Sequence, residues 1–168
     1  MPSPRASLRG AKAKASGRLF ENILAARCAR DGIKFEQLPS GCRWIGKVAV
    51  PAKSPFDFII AKDGNVVFFD AKSIDATTFT RSACKPHQIE SLAGFELSGL
   101  TAGFVVWLRA TGQVVFFKAS QLKALPPRYS LKVSDGILLG SVDTLTLEGL
   151  LNGKAGRKSD LQEKSPGL

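Results

Sequence analysis

The sequence is poor in the residues that build soft-metal and disulfide sites: it has one histidine and three cysteines, Cys28, Cys42 and Cys84, far apart and without a Cys-x-x-Cys pair. A multi-histidine zinc centre cannot be assembled from His87 alone, and the cysteines read as free, buried thiols. Any metal must therefore be held mainly by oxygen. Long apolar runs are also missing. None approaches the roughly 18–20 residues of a membrane span, and the opening segment "MPSPRASLRGAKAKASGR" has no apolar signal core. A cytoplasmic protein without a membrane partner is expected. Acids are scarce as well, with 14 Asp and Glu against 24 Lys and Arg, a formal net charge of +10. Such an excess favours an anionic partner, nucleic acid first.

What is present fits one domain, since 168 residues suffice for a real core but not for two ordinary domains. Residues 1–15 carry Arg5, Arg9, Lys12 and Lys14 with no acid and few large apolar side chains, which predicts a disordered basic arm. Residues 152–168 are polar and apolar-poor, and a disordered tail is expected there. The folded domain should span residues 16–151. It opens with a helix in which Ser16 caps the start, Phe20, Ile23, Leu24 and Cys28 recur at helical spacing, and Gly32 closes the end. Glu21 sits at the edge of that apolar stripe.

"CRWIGKVAV" reads as one strand. Lys85 to Leu97 reads as a second helix, with Pro86 in its first turn and Gln88, Leu92 and Phe95 along one side. "GFVVWLRATGQVVFFKAS" supplies two strands about a Thr-Gly turn, and "SQLKAL" a short helix before Pro126. The stretch from there to Leu151 gives no clear pattern. Interleaved strands and helices predict a mixed α/β layer fold.

The chemistry is concentrated in "SPFDFIIAKDGNVVFFDAKS", Ser54 to Ser73. Asp63-Gly64 is a favoured two-residue hairpin turn. With Lys62 facing Asn65, Asp57 falls directly opposite Asp70, with Cβ atoms about 4.5–5.5 Å apart. Lys72 shares their side of the strand because side chains alternate. Apolar residues otherwise fill both faces, so the hairpin is central and buried. Two opposed carboxylates repel unless something compensates. Lys72 could do so alone as a salt bridge at a strand end. A divalent cation does so better, and two carboxylates plus waters suit Mg²⁺ or Mn²⁺. A hard cation, a lysine and a basic surface together suggest phosphodiester hydrolysis.

"FDF" at Phe56 to Phe58 with "DAK" at Asp70 to Lys72 resembles the PD-(D/E)xK nuclease core, with Asp in place of the commoner Glu at position 70. "GRLFE" upstream and "DAKSIDATTF" and "HQIESL" downstream resemble the RecU-type Holliday junction resolvases of bacteria and phages. The resemblance runs from about Gly17 to Leu125. It implies a restriction-endonuclease-like mixed central β-sheet flanked by helices, and a Mg²⁺-dependent (or Mn²⁺-dependent) homodimer that makes paired nicks in a four-way DNA junction. By the same resemblance Glu21, Asp57 and Asp70 are metal ligands, Lys72 is the catalytic lysine, and Gln88 supports the site from its helix. Arg18, Thr77, Thr78, Arg81, Lys85 and His87 are expected to contact DNA. Between Ile33 and Phe56 the chain departs from the fuller family members, in which a longer stalk is expected. A nuclease for other branched or specific DNA, or a binding module without catalysis, are the alternatives.

Overall fold

The computed structural model describes residues 4–39, 42–45, 47–51 and 54–152. The expected tail from Gly153 onward, and Met1 to Ser3, lie outside the described residues. In chain order the elements are α1 (Pro4–Arg30), β1 (Lys34–Gln37), β2 (Cys42–Ile45), β3 (Val48–Pro51), β4 (Phe58–Lys62), β5 (Asn65–Ile74) and β6 (Phe79–Thr80). They continue with α2 (Pro86–Leu97), β7 (Thr101–Leu108), β8 (Gln113–Lys118), α3 (Ala119–Ala124), β9 (Ser130–Leu131), β10 (Ile137–Ser141) and α4 (Glu148–Leu151). Short 3₁₀ turns cover Arg81–Ala83 and Val133–Asp135.

Six strands form one mixed sheet in the order β1-β4-β5-β7-β8-β10, in which only β5 and β7 run parallel. The parallel pair needs a crossover, and α2 provides it. Asp63 and Gly64 both adopt positive φ, 50° and 79°, the conformation that a tight two-residue hairpin demands. The turn fixes the β4–β5 register at Lys62↔Asn65 through Phe58↔Phe69. Each face of the sheet then buries its own core. Phe20, Leu24 and Cys28 of α1 pack with Phe58, Ile60, Val67, Phe69 and Val105. Ile89 and Leu92 of α2 pack with Phe104, Val106, Val115 and Phe117. Each such side chain contributes about 1.5–3 kcal/mol on leaving water.

Three expectations need correction. Helix α1 begins at Pro4, not Ser16, so residues 4–15 are helical rather than a disordered arm. The stretch after Pro4 is rich in Ala, Lys and Arg, good helix formers. Ser16 lies inside the helix and donates its hydroxyl to the Ala13 carbonyl at 2.9 Å. "CRWIGKVAV" is two strands, β2 and β3, paired antiparallel from Cys42↔Pro51 to Ile45↔Val48 as a separate ribbon. Strand β1 has no counterpart in the sequence reading. It pairs antiparallel with β4 and forms one edge of the main sheet. Among the described residues no helix is long and apolar enough to cross a membrane.

Candidate active site

Phe58↔Phe69 is the last regular pair of the hairpin, and Asp57 and Asp70 occupy the next facing positions. Asp70 is completely buried, while Asp57 is half-buried. The Asp57 carboxyl is near enough to act on that of Asp70. Lys72, one alternation beyond Asp70, places Nζ 2.5 Å from Asp70 Oδ2. That oxygen has no partner beyond this ion pair. Gln88, buried in the first turns of α2, joins the two: its Nε2 donates to Asp70 Oδ1 at 3.1 Å, and its Oε1 accepts from Lys72 Nζ at 3.3 Å. One amide thereby fixes the positions of an acid and a base.

Burial raises Asp70 to about 8, helped by the hydrogen bond and charge of Asp57 and opposed by Lys72. Without a cation Asp70 therefore holds a proton near neutral pH. Glu21 comes to the same region from α1. Its carboxyl is raised by burial and by the charge of Asp57, while a hydrogen bond from Gln37 and the charges of Arg18 and Lys72 oppose the rise. Among the described residues no three His, Cys, Asp or Glu side chains are grouped to hold a metal ion. Glu21 stands as a third acid near this pair, within reach of the charges of Asp57 and Lys72.

The donor set fits a hard divalent cation. Two carboxylates face one another, and one of them carries a fully buried oxygen with unused acceptor capacity. Such a cation is commonly bound by one or two carboxylates, with substrate phosphates and waters completing the shell.

The expected DNA contacts lie on segments flanking this site. Arg18 is exposed on α1, one helical turn before Glu21, and Thr77 and Thr78 lie in the bend between β5 and β6. Arg81 opens a 3₁₀ turn, Lys85 is the exposed N-cap of α2, and half-buried His87 lies in its first turn. Gln37 was not foreseen. It ends β1 opposite Phe58, and the Leu38 amide donates to the Asp57 carbonyl at 2.8 Å, so this strand end touches both Glu21 and the hairpin acid. Only the β1–β4 pairing reveals it, because "KFEQ" has no alternating apolar pattern.

The fold is similar to that of a solved Holliday junction resolvase. Superposition on Hjc, a Holliday junction resolvase from the archaeal hyperthermophile Archaeoglobus fulgidus, gives a TM-score of 0.52 at 16% identity, covering 73% of this chain and 95% of that one. At that identity the likeness is one of fold. The family model for Recombination protein U, RecU, matches residues 32–135, more than half of the chain, and the chain belongs to that family. The matched span contains Asp57, Asp70, Lys72 and Gln88 but begins after α1, so Glu21 lies outside it. No curated protein matches the sequence.

Proposed function

We propose that the protein is a Mg²⁺-dependent, structure-selective DNA endonuclease that resolves four-way junctions by paired, symmetric phosphodiester hydrolysis. The observation that carries this reading is a fully buried Asp70 facing Asp57, with Lys72 and Gln88 locked against it. A core position at the end of a central strand would be more stable if apolar, so the charges point to chemistry. Membership of the RecU family and the Hjc-like fold support a nuclease of branched DNA.

A divalent cation between the two carboxyls would supply a bound water of lowered pKa and neutralise charge at the phosphoryl oxygens. The residues of the chain do the rest. Asp57 and Asp70 would hold the cation, and Gln88 keeps the Asp70 carboxyl and the Lys72 ammonium at fixed separation. Lys72, one-fifth exposed, presents a positive charge toward the substrate side. There it orients the attacking water and offsets charge developing at phosphorus. Glu21, held by Gln37, assists from the outer edge. Arg18, Thr77, Thr78, Arg81, Lys85 and His87 draw in the backbone phosphates, which fix position without reading sequence. A four-way junction is two-fold symmetric, so paired nicks call for a homodimer.

The test is a labelled mobile junction incubated with protein and Mg²⁺. Symmetric nicks are expected, and Asp57→Asn should abolish them while retaining junction binding. Equal cutting of plain duplex would refute junction selectivity. The ribbon of β2 and β3, only four residues per strand, favours a second reading in which flaps or forks are the better substrates. Parallel assays on those substrates separate the two.

A further inference from the structure

A cleft of about 280 Å³ opens between the Arg81–Ala83 turn, the first turn of α2 and Pro127. Its walls are apolar, formed by Pro86, Ile89, Pro127 and the Cys84 thiol, while Arg81 and Ser82 add polar groups. It adjoins the proposed catalytic centre. Ile89 of its wall follows Gln88, which is hydrogen-bonded to both Lys72 and Asp70.

The single tyrosine of the chain stands beside this cleft. Tyr129 is 65% exposed. Strands β6 and β9 pair Phe79 with Leu131 and Thr80 with Ser130, and Tyr129 and Arg81 are the chain neighbours of that last pair, with Tyr129 two residues after Pro127 of the cleft wall. Its neighbour Arg128 and the nearby Lys85 are exposed cations, whereas Lys123 is already engaged by Glu90 at 2.8 Å. An exposed ring, an apolar slot and unopposed positive charge converge on one edge of the site.

We propose that this cleft is a subsite for one unstacked nucleobase of branched DNA, lying next to the phosphodiester that is cut. The inference rests on the reading of the protein as a junction nuclease. The base seats against Pro86, Ile89 and Pro127 with Tyr129 stacked at its flank, and Arg81 and Lys85 attract the adjoining phosphates. Size is consistent with a single base, because the cleft falls below the roughly 300–1,000 Å³ usual for drug-sized ligands. Aromatic stacking accepts any base, since every base has a π-face, and cationic side chains supply the backbone contacts. Branch points expose bases that intact duplex keeps stacked, so the subsite would favour branched over linear DNA.

The experiment places 2-aminopurine, whose fluorescence rises on unstacking, at successive positions around the branch of a four-way junction, with metal chelated. Wild-type protein should raise the fluorescence at one position near the branch. Tyr129→Ala should weaken junction binding about tenfold, within the usual worth of one stacked base, and leave both duplex affinity and thermal midpoint unchanged. Tyr129→Phe should bind like the wild type. The proposal is overturned if no position brightens, if Tyr129→Ala binds the junction normally, or if it loses junction and duplex affinity equally. Unstacking without later cleavage in Mg²⁺ would refute the nuclease reading alone. Normal cleavage with an unaffected Tyr129→Ala would refute the subsite alone.

Discussion

Asp70→Asn tests the electrostatic core of the site through stability rather than activity. In the metal-free protein Asp70 is raised from 3.8 to about 8, chiefly by burial. The folded state therefore keeps a proton that the unfolded state releases between about pH 4 and pH 8, and stability falls as pH rises through that window. Above about pH 8 both states are ionised and the loss is complete. At about 1.4 kcal/mol per pH unit the full displacement corresponds to a few kcal/mol once local relaxation is allowed for. The opposing attraction of Lys72, 2.5 Å away, is already contained in that net rise. Asparagine keeps the shape and stays neutral, so the variant should escape the loss. Urea unfolding in a chelator from about pH 5 to pH 9 should show the variant gaining on the wild type by a few kcal/mol as pH increases. Parallel curves, or a wild type that gains on the variant, would sink the assignment of Asp70 as a desolvated, proton-holding acid.

The same pair of proteins reports on the cation. A ligand that binds only the folded state raises its stability, and here the cation must displace the proton on Asp70. Mg²⁺ should therefore raise the wild-type melting temperature more at about pH 8 than at about pH 6, and should leave Asp70→Asn unmoved. A stabilisation equal in both proteins would place the cation elsewhere.

Two further outcomes follow from particular residues. Lys72→Met should reduce junction cutting by about 10²-fold or more while junction affinity in chelator stays close to wild type; a collapse of affinity instead would make Lys72 a binding residue. Gly64→Val, at φ +79°, should cost about 1–3 kcal/mol of stability through backbone strain, read by denaturant unfolding, and an unchanged midpoint would contradict the positive-φ turn.

The sequence made the hairpin legible because its information is local. Asp63-Gly64 selects one turn, the turn selects one register, and strand alternation then carries Asp57, Asp70 and Lys72 to the same side. Helix α2 was legible for the same reason, since Pro86 marks its first turn and the spacing of Gln88, Leu92 and Phe95 along one side needs no distant partner. What local pattern cannot supply is pairing between segments far apart in the chain. Strand β1 is four residues of largely polar sequence, and it is a strand because β4 offers it an edge. Gln37 gains its place beside Glu21 only through that pairing.

Composition misled where two physical states share one signature. An acid-free, Lys- and Arg-rich opening reads as a solvated arm, yet Ala, Lys and Arg are also strong helix formers. A helix once anchored by Phe20, Leu24 and Cys28 in the core can propagate backward at little cost, because each added residue gains a backbone hydrogen bond without a new nucleation step. The anchor is the deciding term. Its consequence for the site is that Glu21, one residue after Phe20, is fixed by the buried part of α1 rather than by the basic turns before it. Glu21 thereby inherits its position from the core, while Asp57 and Asp70 inherit theirs from the hairpin register, and Gln37 bridges the two at the edge of the sheet.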